Sequence, residues 1–352
     1  MAAAQGPRMI RCRLAAFALA VFLAPIAAGQ RELRFFNWSD YLPPAVLESF
    51  TRETGIQVHY ATYDSNEAMY AKVKLLDGGG YDLVVPSTYM IDRMRKQGLL
   101  RPLDRARLPH FGNLDPHHLD LPFDPGNRYS VPYLWGTTGI GVNAERIDPA
   151  GLHAWADLWQ PQFRRALLLP NDMREVFHMA MRVLGLPVNS TDPAHIEAAY
   201  RKLRELMPNV RLFSSDAPQV LFITGEVDAG MIWNGVAYLA ARDAPAVRFV
   251  QPAEGPLLWM DNLAILKNAE HPNEAHALID YLLRPDVARL ISESVGYATP
   301  NAAAVAILPP EIRNNPVIYP PAGVIERGEY QVDLGDAIRH YTEYWERLKA
   351  GQ

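Results

Sequence analysis

The chain has 352 residues, with 34 Lys plus Arg against 39 Asp plus Glu and a net charge of −5. Apolar residues make up 49% and charged residues 21%. That ordinary globular mixture excludes wholesale disorder and leaves room for roughly two domains. The mild acidity argues against a nucleic-acid binder, which carries a basic face. The 29 prolines imply many rigid turns.

The first thirty residues read as a secretory signal. Arg8, Arg11 and Arg13 precede an apolar run over 14–26, and Ala27-Ala28-Gly29 supplies small residues for cleavage after Ala28 or Gly29. The run is too short to span a bilayer comfortably. Met9 is an alternative start, since the signal is complete without residues 1–8. Cys12 is the only cysteine and precedes the run, so no lipid-anchoring cysteine follows it. A chain cleaved at residue 29 would hold no thiol for a disulfide, a zinc site or a nucleophile. The expected product is a soluble exported protein, periplasmic in a cell with an outer membrane.

After the signal, strands and helices alternate. Residues 33–38 read as a buried strand. The stretch 44–54 reads as a helix, with proline at its start and Gly55 at its end. A strand over 56–60 follows. Asp64 and Glu67 have the spacing of a capping box before a helix that ends near Gly78. Residues 81–85 are a strand, and 90–97 a helix stopped by Gly98. A second α/β region begins near Gly136. It has a strand at 165–169, a helix at 173–184 and a helix carrying Ile196, Ala199, Tyr200, Leu203, Leu206 and Met207 after the Asp192-Pro193 cap. Strands follow at 227–233, 247–250 and 258–265, then helices near 273–283 and 286–295 and an amphipathic tail helix over 334–348. No repeat or flexible linker is visible. Two domains without an obvious linker imply a chain that crosses between them more than once.

Catalytic motifs are absent: no His-Glu-x-x-His, no Gly-x-Ser-x-Gly and no phosphate-binding loop. Gly78-Gly79-Gly80 reads as a helix end, and the glycines at 136, 139 and 141 as a tight strand entry. Glu175 and His178 have the spacing of a di-iron helix, but the second copy that chemistry needs is missing. His117-His118 reads as a solvated loop pair, and the sequons at Asn37 and Asn189 as chance matches.

What remains is a set of aromatics and carboxylates at strand ends. Trp38 and Tyr41 follow the first strand, Ser87 and Tyr89 the strand ending at Val85, and Asp172 and Glu175 the strand before their helix. Trp233 ends the strand from Val227, while Trp259 and Asp261 alternate along one strand and so share a face. Ligands of open α/β sheets bind at the carboxyl ends of strands. Alone, each tryptophan reads as core and Asp172 as a helix cap. Together, three carboxylates among aromatic rings suit an organic cation. Ring faces attract an ammonium, carboxylates bond it, and indole or phenol covers its methylenes.

The chain resembles the spermidine/putrescine-binding periplasmic proteins of ABC transporters over essentially its whole mature length. The resemblance lies in residues 36–41 (Phe-Asn-Trp-Ser-Asp-Tyr), 63–67, 81–89, 131–137, 174–177, 230–235, 259–261 (Trp-Met-Asp) and 296–301 (Gly-Tyr-Ala-Thr-Pro-Asn). It implies an α/β two-lobed clamshell of the type II-like periplasmic-binding-protein fold. Each lobe would be a sheet flanked by helices, with lobes at 30–136 plus 259–310 and at 137–258 plus 311–352. It implies a polyamine ligand, spermidine over putrescine, held by Trp38, Ser39, Tyr41, Ser87, Tyr89, Asp172, Glu175, Trp233, Trp259, Asp261 and Gln331. Ser39 and Gln331 come from the resemblance alone. Ser39 stands where relatives often carry Thr, and Asn171 where they can carry another acid. The implied partners are an inner-membrane permease and its ATPase, with no cofactor, no metal and no enzymatic activity, and a monomeric chain. A binding protein for another small organic cation and a polyamine sensor subunit are the alternatives.

Overall fold

The computed structural model describes residues 1–3 and 31–351. The segment read as a secretory signal, beyond its first three residues, falls outside the described residues. Strands β1 (Glu32–Trp38), β2 (Gln57–Tyr63) and β3 (Leu83–Val84) are parallel, joined by the helices Pro44–Thr54 and Asn66–Leu75. Two long strands follow in the sheet, β9 (Leu257–Ile265) and β4 (Ser130–Asn143), antiparallel to each other. Beyond them lie β7 (Ala229–Trp233), β5 (Leu167–Leu169) and β6 (Val210–Phe213), giving the order β2-β1-β3-β9-β4-β7-β5-β6. The short β8 (Val247–Val250) pairs with β4, and β10 (Glu329–Tyr330) with β9.

β4 joins the two lobes of this α/β fold. Its first half, Ser130 to Thr138, pairs with β9, and its second half pairs with β7 and β8. Every residue of β4 and β9 is buried, as expected for strands covered on both faces. Pro132 has no N–H to give the ladder, and the register shifts between it and Leu134. Helices cover each lobe. Phe35, Phe50, Leu263 and Ile279 anchor one core, and Trp155, Phe163, Phe177 and Tyr341 another.

Three local expectations are corrected. Helix Asn66–Leu75 is capped by Ser65, whose hydroxyl accepts the Ala68 N–H at 3.2 Å, so Asp64 and Glu67 form no capping box. Helix Thr88–Lys96 starts two residues early. Ser87 sits at its N-cap without bonding a backbone N–H, because its hydroxyl is engaged elsewhere. The Gly136–Gly141 stretch is not the entry of a strand but lies inside β4. A Cβ on Gly136 would overlap Asn234 Oδ1 and the Trp259 ring, and one on Gly139 would overlap Phe249. Gly136→Ala is therefore expected to destabilise the protein by about 1–3 kcal/mol, the usual cost of overpacking. Urea unfolding followed by tryptophan fluorescence reads this, and unchanged stability with an unchanged native spectrum would contradict it.

Candidate functional site

The carboxyl ends of β1, β3, β5 and β7 converge on one cleft enclosing about 730 Å³ of space, partly continuous with solvent. All eleven residues singled out in the sequence line it. No lysine or arginine does, whereas Asp64, Asp172, Glu175 and Asp261 do.

From β1, Trp38 turns its indole N–H onto the Val85 carbonyl at 2.8 Å, which holds the ring on the cleft wall. Ser39 follows, its hydroxyl 3.4 Å from Asp64. Asp40 takes a positive φ of 53°, bending the chain so that Tyr41 returns inward. Tyr41 donates its hydroxyl to Asp261 Oδ2 at 2.7 Å, and Ser87 donates to Asp261 Oδ1 at 2.5 Å. Asn66 fixes Ser87 in turn, donating to its hydroxyl at 3.0 Å and accepting its backbone N–H at 3.1 Å.

Asp261 is thus buried and doubly hydrogen-bonded. Burial raises its pKa to about 7 despite the Ser87 and Tyr41 hydroxyls, and the negative Asp172 adds to the rise. Across the cleft, Asp172 caps helix Met173–Val183, accepting the Glu175 N–H at 3.0 Å. Asp172 thus both caps the helix and lines the cleft. Burial still raises its pKa, against the helix N–H groups and Arg174. Glu175 is raised well above the usual carboxylate range by burial first and by Asp172 second. Its Oε1 accepts the Trp233 indole N–H at 2.9 Å, and the Trp233 and Thr138 side chains together oppose the rise.

Trp259 packs edge-on against Tyr297 with ring centroids 5.0 Å apart. Gln331 enters on a segment that Asn189 pins, donating to the Tyr330 carbonyl at 2.9 Å and accepting the Val332 N–H at 3.0 Å. The sequon asparagine is therefore an internal brace. The Nε1 of Trp259 and the Nε2 of Gln331 are buried at the cleft wall. His178 is buried in the same helix as Glu175, but among the described residues no His/Cys/Asp/Glu cluster is suited to a metal.

Sequence reasoning missed seven further lining residues. Tyr63, Asp64, Asn66, Thr88 and Tyr297 lie in segments that carried the resemblance, so their signal was present. Leu258 and Ser215 stood in no motif. Ser215 accepts the Asn171 N–H at 3.0 Å, which shapes the turn before Asp172.

The sequence model of the bacterial extracellular solute-binding protein family matches residues 45–320. The chain belongs to that family. Among solute-binding proteins, the spermidine/putrescine-binding periplasmic protein of Salmonella typhimurium is 52% identical over 340 residues, 96% of this chain and 98% of that protein. The putrescine-binding periplasmic protein PotF of Escherichia coli is 35% identical over 361 aligned residues, 95% of each chain. The crystal structure of the spermidine/putrescine ABC transporter substrate-binding protein PotD of Streptococcus pneumoniae superposes with a TM-score of 0.77 at 37% identity. It covers 91% of this chain and 99% of that one. That solved structure shares this fold over nearly its whole length.

Proposed function

We propose that this protein captures spermidine, with putrescine bound more weakly, and delivers it to an inner-membrane permease powered by a cytoplasmic ATPase. It acts as a binding component rather than a catalyst, in the periplasm, after removal of residues 1–29, and as a monomer. The eleven residues named above are the ligand shell. The lobes are 30–136 plus 259–310 and 137–258 plus 311–352, hinged where β4 and β9 pass between them. Bridging both lobes makes the closed form the better binder, which drives closure.

The observation that carries this reading is the cleft's charge pattern. Asp172, Glu175 and Asp261 are buried among aromatic rings with no basic side chain on the wall. Spermidine brings about three ammonium groups near neutral pH, given amine pKa values near that of lysine. Trp38, Trp233, Trp259, Tyr41 and Tyr89 cover its methylenes. Putrescine brings two ammoniums and leaves a buried carboxylate unpaired, at a cost of several kcal/mol unless water or a proton relieves it.

Thermal unfolding of ligand-free protein with spermidine, putrescine, spermine and lysine tests the reading. Spermidine at about 100 times Kd should stabilise the protein by roughly 2.7 kcal/mol. Putrescine should shift the transition less, and lysine not at all. No shift with any polyamine would overturn the proposal.

A further inference from the structure

Four hydroxyls in the cleft have their protons taken by carboxylates. Tyr41 and Ser87 donate to Asp261, Ser39 donates to Asp64 at 3.4 Å, and Tyr89 donates to Glu67 Oε1 at 3.2 Å. A hydroxyl whose proton is engaged turns its lone pairs to its other neighbours. It then accepts ammonium hydrogens instead of opposing them with its own. Asp261 does this from the cleft wall itself. Glu67 does it from behind the wall, because Tyr89 lines the cleft and is buried whereas Glu67 is not among the lining residues.

Ser65 supplies the side-chain cap of the helix in which Glu67 sits, and the Glu67 carboxylate, which also accepts its own backbone N–H, takes the Tyr89 proton. Tyr89 is also held through its ring, with the Arg174 guanidinium 5.1 Å from the centroid. Arg174 is anchored by the Val332 carbonyl at 3.2 Å. Asp172 lies close enough for its charge to act on both Glu67 and Tyr89.

The geometry points to Glu67 as a positioning residue for polyamine selectivity. By taking the Tyr89 proton, it makes Tyr89 Oη an acceptor for the ammonium that a triamine has and a diamine lacks. A diamine held at Asp261 and Glu175 has no third ammonium to give this acceptor. This inference rests on the cleft binding polyamines as proposed above.

Isothermal titration of spermidine and putrescine into wild-type protein, Glu67→Leu, Tyr89→Phe and the double variant tests it. Glu67→Leu should weaken spermidine about tenfold, the worth of a well-placed hydrogen bond, and putrescine less than about threefold. The double variant should bind spermidine no worse than Tyr89→Phe alone, because Glu67 acts only through Tyr89. Glu67→Gln, which keeps an acceptor for the Tyr89 proton, should retain more affinity than Glu67→Leu, and it carries the same cycle if the leucine variant does not fold. Effects that multiply in the double variant, an equal loss for both polyamines, or undiminished spermidine binding would each overturn the inference and leave the proposed function standing. Wild-type protein that binds neither polyamine would overturn that function and this inference with it.

Discussion

Asp261→Asn is expected to weaken spermidine binding by roughly 2–5 kcal/mol, the cost of truncating a buried charged partner. At 1.4 kcal/mol per decade this is about thirtyfold to several thousandfold in Kd. Two effects combine. The variant lacks the charge that an ammonium needs in a dry cleft. It also disturbs both hydroxyls, because Tyr41 and Ser87 each donate to one oxygen of Asp261. An amide offers one acceptor oxygen and one NH2 group, so one hydroxyl must turn its proton into the cleft, toward the ligand. The ligand-free variant should be no less stable than wild type, since an amide is buried more cheaply than a carboxylate. Titration calorimetry measures the loss, and unchanged affinity would remove Asp261 from the ligand shell.

Ligand-free protein is expected to lose stability as pH rises from about 4 to about 7, with spermidine restoring it. Burial holds Asp261 and Glu67 each at a pKa of about 7 in the folded state. In the unfolded chain such groups titrate near 4. Between those values the folded state binds more protons than the unfolded one, so stability falls with rising pH. The contribution is fully present below the unfolded pKa and is lost as pH passes through the folded value. It amounts to a few kcal/mol at most for each group, on the scale of about 1.4 kcal/mol per unit. Asp172 and Glu175 are raised too and act in the same sense, whereas burial lowers His118 and His178, which act in the opposite sense and are outnumbered by the four raised carboxylates. Asp115 and Asp286 are lowered, so their stabilisation is lost only as pH falls below this window. An ammonium favours the ionised carboxylates, so spermidine binding below about pH 7 should expel protons and its affinity should rise toward neutrality. Unfolding at several pH values, with and without spermidine, reads the first effect. Binding heats in two buffers of different ionisation enthalpy read the second. Stability that climbs from pH 5 to 7.5 with no proton release would contradict this account.

Much of the site was legible because its residues occupy strand ends. Trp38, Asp172 and Trp233 could be placed at the carboxyl ends of strands by apolar runs followed by turns and caps. The alternation of Trp259 and Asp261 put both on one face. Ser39 and Gln331 carried no local signal. A lone serine in a turn and a lone glutamine in a tail have no periodicity to reveal them, so only the family resemblance marked them. Ser87 shows why local capping rules failed. Its hydroxyl stands where a helix cap belongs, yet it bonds Asp261, 174 positions away in sequence, and that long-range bond displaces the local one.

The sequence by itself determined the α/β class, the strands and helices to within a few residues, the secretory signal pattern and the acidic-aromatic character of the site. Each of these depends on short-range periodicity, turn chemistry or composition. Only the tertiary structure decided which hydroxyl serves which carboxylate, that Gly136 is a packing gap inside β4, and that Glu67 stands behind Tyr89. Those facts depend on contacts between segments distant in sequence, and on burial that raises a carboxylate pKa only once the rest of the chain has closed around it.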